Sequence, residues 1–275
     1  MPFEPLRVVV RRGGVLEARH RIHAVAVQDG SVVAEAGDPS LVCFMRSSSK
    51  PLQALPLARA RDDLDPRDLA IASASHLAAP PQLEAVRALL AKAPATEEEL
   101  ECGAEGDPPR KINHNCSGKH AGMLATCRAH GWPQHPYRAP DHPLQRRIAG
   151  LVGSSETAVD GCGVPTFAMP LSAMASLFAT TPARIAGAMI AHPDLVGGSG
   201  ADDTDLMRAL PGWIAKRGAE GLFCARSPDG VGYAFKTEDG SSRALRPAIA
   251  HVLGLEAFAS VPVRNSLGEV VGSIQ

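Results

Sequence analysis

Aromatic side chains are scarce in this 275-residue chain, at 4%, so its core must lean on Ala, Leu and Val. An excess of one charge sign is lacking too. The formal net charge of −1 points to neither nucleic acid nor an anionic membrane surface. No apolar stretch free of charge reaches the roughly 18–20 residues that a membrane-spanning helix needs. The opening segment, MPFEPLRVVVRRGG, has no apolar core followed by a small-residue cleavage site. No secretory signal is expected there, and the expected location is cytoplasmic. Internal repeats and low-complexity linkers are also missing, which predicts one compact domain over residues 1–275.

What is present is ordinary in bulk, with 45% hydrophobic and 21% charged residues. The residues up to about 40 read as strands: LRVVVRR, AVAVQDG and SVVAEAG are β-branched runs broken by Gly-Gly and Asp-Gly turns. The segment LFCARSPDGVGYAFKTEDG near the C-terminus reads the same way. Between them PLQALPLARA, PPQLEAVRALLAKA, HPLQRRIAGLVG, PLSAMASLFA and TPARIAGAMIAH carry apolar residues at helical spacing. The expected fold is α/β of the α+β type, an antiparallel sheet joining N- and C-terminal strands with a helical middle.

Four stretches carry residues with chemical potential. In RSSSKPLQALP, Ser47 and Lys50 share one face of a helical turn, and Pro51 fits only the first turn. That places Ser47 at a helix start, where free amide hydrogens can stabilise an oxyanion, and a buried neutral lysine could take its proton. S-x-x-K is common, and a polar helix cap with a solvated lysine fits these residues equally. In IASASHLAAPP, Ser75 and His76 read either as a second hydroxyl and a polar contact or as a helix cap. NHNCSGKHAGML sets Cys116 and Lys119 in one helical turn, and VDGCGVPTF sets Asp160 and Cys162 in a glycine-rich turn. With His114 and His120 nearby, these residues suit zinc, though no C-x-x-C spacing supports it and buried thiols beside a turn fit as well. Lys236, in GYAFKTEDG, follows an apolar strand. The six cysteines (Cys43, Cys102, Cys116, Cys127, Cys162 and Cys224) are spread widely and read as thiols or ligands rather than a disulfide framework.

Taken in order, EARHRIHAVAV, RSSSKPLQALPL, ASASHLAAP, NCSGKHAGMLATC, DGCGVPTFAMPLSAMA, GGSGADDTDLM, KRGAEGLF and GYAFKTEDGSSRA resemble the Rhizobium etli-type L-asparaginases, the asparaginase II family. NCSGKHAGML and DGCGVPTFAMPL are the most specific of these. The resemblance implies hydrolysis of L-asparagine to L-aspartate and ammonia on a fold similar to serine β-lactamases and glutaminases. It implies two serine–lysine pairs, with Ser47 and Lys50 in one and Ser75 and Lys236 in the other. It further implies a Zn2+ site at Cys116, Lys119, Asp160 and Cys162, and a homodimer. Arg46, His76 and His120, beside these motifs, are expected to contact substrate.

Three features depart from the family pattern, the first being a chain that is short overall. GAEGDPPRKINH, between Cys102 and Asn115, is short, and Ala201 follows Gly198-Ser199-Gly200 where an arginine is usual. The rival readings are a glutaminase or other small-molecule amidase of the same fold, and a non-catalytic zinc or thiol sensor. A β-lactam-processing enzyme fits less well, because Lys236-Thr237-Glu238 lacks the glycine of the lysine-threonine-glycine strand motif.

Overall fold

The computed structural model describes residues 3–154 and 156–275, which gather into two compact units. The first comprises the chain up to Cys43, Pro170–Ala179, and the chain from Gly218 onward. The second comprises Phe44–Met169 and Thr180–Arg217.

The first unit is built on an antiparallel sheet that joins the two ends of the chain, as the alternating runs predict. Strand Leu6–Arg12 lies between Val15–Gln28 and Val270–Ile274, with Val10 opposite both Ala18 and Ile274. Val15–Gln28 continues to Gly232–Thr237, which pairs with Leu222–Arg226. Val261–Arg264 flanks Val270–Ile274, and Ser31–Ala36 folds back on the second half of Val15–Gln28. The turn between those last two strands holds Asp29 at φ +50° and Gly30 at φ +78°. Two successive left-handed residues match the twist of the strands they join. Helices Leu171–Ala179 and Leu245–Leu253 supply the apolar surface that the sheet needs. The core is rich in alanine and valine, including Val8, Val10, Ala24, Val25, Ala225 and Ala234, as the scarcity of rings requires.

The second unit is mostly helical. Asp65 caps Pro66–Ala72, its side chain accepting from the Arg67 and Asp68 amides while the Asp68 carboxylate accepts from the Asp65 amide. Helix Ser117–His130 is buried all round from Ser117 to Cys127 and ends at Gly131, φ +65°. Gly118 lets this helix press against Pro66–Ala72. A Cβ there would stand 2.3 Å from the Ile71 carbonyl oxygen. A short hairpin pairs Thr157–Val159 with Pro165–Pro170 and presents the turn that carries Asp160 and Cys162.

One helix differs from expectation. PLQALPLARA is not continuous but divides into Lys50–Gln53 and Leu55–Ala60. Pro56 has no amide hydrogen with which to extend the first helix, so it opens a second. Among the described residues, no helix is long and apolar enough to cross a membrane.

Candidate active site

The three serines of the opening motif have different fates. The turn Arg46–Ser49 leads into Lys50–Gln53, with Pro51 in the first helical turn as its chemistry demands. Ser48 Oγ donates to the Lys216 carbonyl at 3.0 Å, and Ser49 Oγ to the Arg46 carbonyl at 2.7 Å. Ser47 is half-buried, and among the described residues its hydroxyl has no protein partner. It is the serine of this turn left free for another molecule.

Arg46 sits at φ +47°, a left-handed backbone that a non-glycine residue adopts at a cost. Two contacts hold it there. Its amide donates to Thr166 Oγ1 at 3.1 Å, and its Nε donates to Asp160 Oδ1 at 2.6 Å. Burial alone would raise the Asp160 pKa, but Arg46, Lys119 and the Gly161 amide outweigh it and hold the carboxyl below its usual range.

Lys50 is only 1% exposed. Its Nζ donates to the Ala74 carbonyl at 2.6 Å and to Ser75 Oγ at 2.9 Å. Loss of solvent pushes its pKa down. The Cys116 thiol opposes that shift and the Lys119 charge adds to it. An amine biased toward its neutral form thus touches one serine hydroxyl and stands one helical turn from another.

His76 is held inside the fold. Ser117 Oγ gives its hydrogen to the Ile112 carbonyl, so it accepts from His76 Nε2 at 2.9 Å, while His76 Nδ1 accepts from the Ala78 amide. Burial, reinforced by Lys50, pulls the imidazole pKa down to about 3, so the ring stays neutral. Both ring nitrogens brace the Ser75 loop.

Lys236, expected to pair with Ser75, lies in the first unit. Its amine donates to the Glu220 and Thr237 carbonyls, each at 2.6 Å. Ser75 takes its lysine partner from Lys50 instead.

The second unit holds a lysine that the sequence reading passed over. Lys216, at 0% exposure, donates through Nζ to Asp203 Oδ2 at 3.0 Å, and Asp203 is equally buried. Burial is the largest influence on Lys216 and draws its pKa down to about 8 despite Asp203. For Asp203, burial is outweighed by Lys216 and Arg217, which hold the carboxyl below its usual range. The Arg217 amide also donates to Asp203 Oδ2, and Arg217 Nη2 donates to the Ser75 carbonyl. The missed signal is Lys216-Arg217-Gly218, a lysine-x-glycine closing strand Ile214–Arg217.

The residues expected to bind metal are partly brought together. Lys119 Nζ lies 2.8 Å from Cys162 Sγ. A hydrogen bond from Cys162 is the main cause that holds the Cys116 pKa well below the ordinary thiol value, with Lys50 and Lys119 assisting against burial. Burial would lower the Lys119 pKa, but the two cysteines outweigh it and the net shift is upward. The expected ligand Asp160 has committed Oδ1 to Arg46 and the Gly161 amide. Among the described residues, no three His, Cys, Asp or Glu side chains converge as ligands. Two sulfurs nevertheless offer soft donors suited to zinc, and Lys119 joins them once it gives up its proton.

His120 stands beside them, fully buried. The Tyr137 hydroxyl accepts from the Glu101 amide at 2.7 Å and has its hydrogen free for His120 Nδ1, 2.8 Å away. Burial draws His120 down to about 4. Among the described residues its Nε2 makes no hydrogen bond of ordinary geometry, and the ring lies close enough to Cys162 to interact with it.

A cavity of about 490 Å³ opens beside the Ser75 loop, lined by His76, Glu105, Asn113, Asn115 and Arg217. A larger one of about 590 Å³ lies in the first unit, between Leu6–Val8 and helix Leu245–Leu253.

The family model described as L-asparaginase II matches residues 8–275. No curated protein sequence matches the chain. Among solved structures, a β-lactamase from Mycobacterium bovis is similar at 18% identity and a TM-score of 0.41, over 86% of this chain and 95% of that one. A candidate β-lactamase from Bacteroides dorei is similar at 14% identity and a TM-score of 0.42, over 78% and 84% respectively.

Proposed function

The chain belongs to the L-asparaginase II family and is on that ground an amide hydrolase; we propose that it hydrolyses the side-chain amide of L-asparagine by serine–lysine catalysis. The observation that carries this reading is the buried Lys50 amine, hydrogen-bonded to Ser75 Oγ one helical turn from the unpartnered Ser47.

In this mechanism Ser47 Oγ attacks the amide carbon as neutral Lys50 takes its proton. The proton passes by way of Lys50 and Ser75 to the leaving nitrogen, and ammonia departs from a Ser47 acyl ester. Water then adds to the ester, again deprotonated through Lys50, and releases aspartate and the Ser47 hydroxyl. Lys216 takes the place first given to Lys236. Its charge, with that of Lys119, disfavours a proton on Lys50.

Zinc belongs to the proposal, held by Cys116, Cys162 and Lys119 with His120 beside them. When bound it would supply a positive charge that orients a polar substrate. The homodimer is likewise proposed, and light scattering on the purified chain tests it.

The nearest rival is a glutaminase with the same chemistry. A zinc or thiol sensor would have no use for the buried contact between Lys50 and Ser75. Ammonia release from asparagine and from glutamine, measured side by side, tests the reading. Turnover of glutamine alone would move the assignment, and turnover of neither would remove it.

A further inference from the structure

We infer that Arg217 binds the α-carboxylate of the substrate, so that the site selects free amino-acid amides over carboxyl-blocked ones. The inference rests on the amidohydrolase reading above and adds a specificity residue to it.

The first observation is one of charge. Among the described residues, Asp203 is the one carboxylate paired with both Lys216 and Arg217, and its acceptors are already taken. Oδ2 receives Lys216 Nζ at 3.0 Å and the Arg217 amide at 3.2 Å, while Oδ1 receives the Thr204 amide at 3.0 Å. The Arg217 guanidinium approaches Asp203 only to 4.0 Å, through Nε. Two cations therefore share one anion, and among the described residues no other carboxylate lies within ion-pair distance of Arg217. Arg46, expected to contact substrate, is the contrasting case, because its Nε is neutralised by Asp160 at 2.6 Å.

The second observation is one of placement. Arg217 Nη2 donates to the Ser75 carbonyl at 3.1 Å, which fixes the guanidinium against the residue whose hydroxyl meets Lys50. Its side chain is 31% exposed and lines the cavity of about 490 Å³. A guanidinium has five donors in a rigid fork, and one used on a carbonyl leaves the others for a planar anion. A carboxylate matches that fork, and in a half-buried setting it meets little competition from water.

The third observation is complementarity. The same cavity carries one carboxylate, Glu105, with the amides of Asn113 and Asn115. A cation and an anion facing one small space suit a zwitterion. A free α-amino acid offers its carboxylate to Arg217 and its ammonium to the Glu105 side.

The test compares L-asparagine with its α-carboxyl amide, L-aspartic diamide, for the intact protein, Arg217→Gln and Arg217→Lys. The wild type is expected to favour asparagine by about 100-fold in kcat/KM, the worth of one charged hydrogen-bonded pair. Arg217→Gln should lose about that factor on asparagine, mainly through KM, stay within about 3-fold on the diamide, and recover partly in Arg217→Lys. Equal losses on both substrates would mark a structural role and overturn the inference. A wild type without preference overturns it too, whether or not the variants fold. Should the wild type hydrolyse neither amide, the activity reading fails by itself. Thermal stabilisation by L-aspartate against its α-amide, isoasparagine, then decides about Arg217. Stabilisation by L-aspartate that Arg217→Gln abolishes supports the anchor, and its persistence in the variant or absence from the wild type refutes it.

Discussion

Lys50 Nζ lies 2.9 Å from Ser75 Oγ, so the lysine that spacing links to Ser47 is held by a serine 25 residues away. A single amine that meets one hydroxyl and lies one helical turn from another can serve both, and the three groups should then behave as one device. Ser47→Ala, Lys50→Met and Ser75→Ala are each expected to lower kcat by about 10³-fold or more, and pairing any two should add little. Steady-state ammonia release reads this directly. Losses that multiply in the double variants would show separate roles.

The placement of the second lysine gives the next prediction. Among the described residues, Lys236 donates to two backbone carbonyls in the first unit and to no serine. Lys236→Met should therefore keep activity within about 3-fold, since removing such surface bonds costs about 1 kcal/mol of stability and touches no reacting group. A drop of several powers of ten would return the role to Lys236 and take it from Lys216.

How these residues were legible in the sequence differs from case to case. Strand runs such as LRVVVRR and AVAVQDG announce themselves by β-branching and their turns, and the pairing of Val10 with Ile274 follows because neither terminal group can bury its face alone. Cys116 and Lys119 were legible because three residues of helix place them on one face. Lys216 was not. A lysine at the end of a four-residue strand reads as solvated, and only its contact with Asp203, 13 residues earlier, marks it as buried. The difference between Ser47 and Ser48 was hidden for the same reason, as Ser48 finds its partner in the distant Lys216 carbonyl. Spacing describes one helix turn and is silent on what faces it.

The metal prediction concerns the sulfurs. Lys119 and Cys162 stand 2.8 Å apart, close enough for both to reach one ion with zinc–sulfur bonds of about 2.3 Å. One equivalent of zinc is expected to bind the wild type and to protect Cys116 and Cys162 from alkylation by iodoacetamide. Cys102 and Cys127, whose pKa values burial pushes up to about 12, should stay unmodified with or without metal. Elemental analysis and peptide mass mapping give the two readouts. Equal zinc uptake by Cys162→Ser would count against the site.

The buried pair of Asp203 and Lys216 makes a prediction about stability and its pH dependence. Lys216→Met should destabilise the fold by about 3–5 kcal/mol, because it leaves a carboxylate at 0% exposure without its cation. Replacing both, as Asp203→Leu with Lys216→Met, should restore most of that loss, since apolar groups of similar size need no partner. The pH dependence follows from the Lys216 pKa, lowered to about 8 by burial against about 10.4 in the unfolded chain. Between those values the unfolded state holds the extra proton, so stability from this group rises with pH. Below about pH 8 both states are protonated and the cost of a buried ammonium is felt in full. Denaturant titrations of the wild type and the double variant from pH 7 to 10 should therefore show the difference moving in favour of the wild type as pH increases. A difference that stays flat would mean that Lys216 keeps its proton in the folded protein throughout, and that Asp203 holds the ammonium more firmly than burial opposes it.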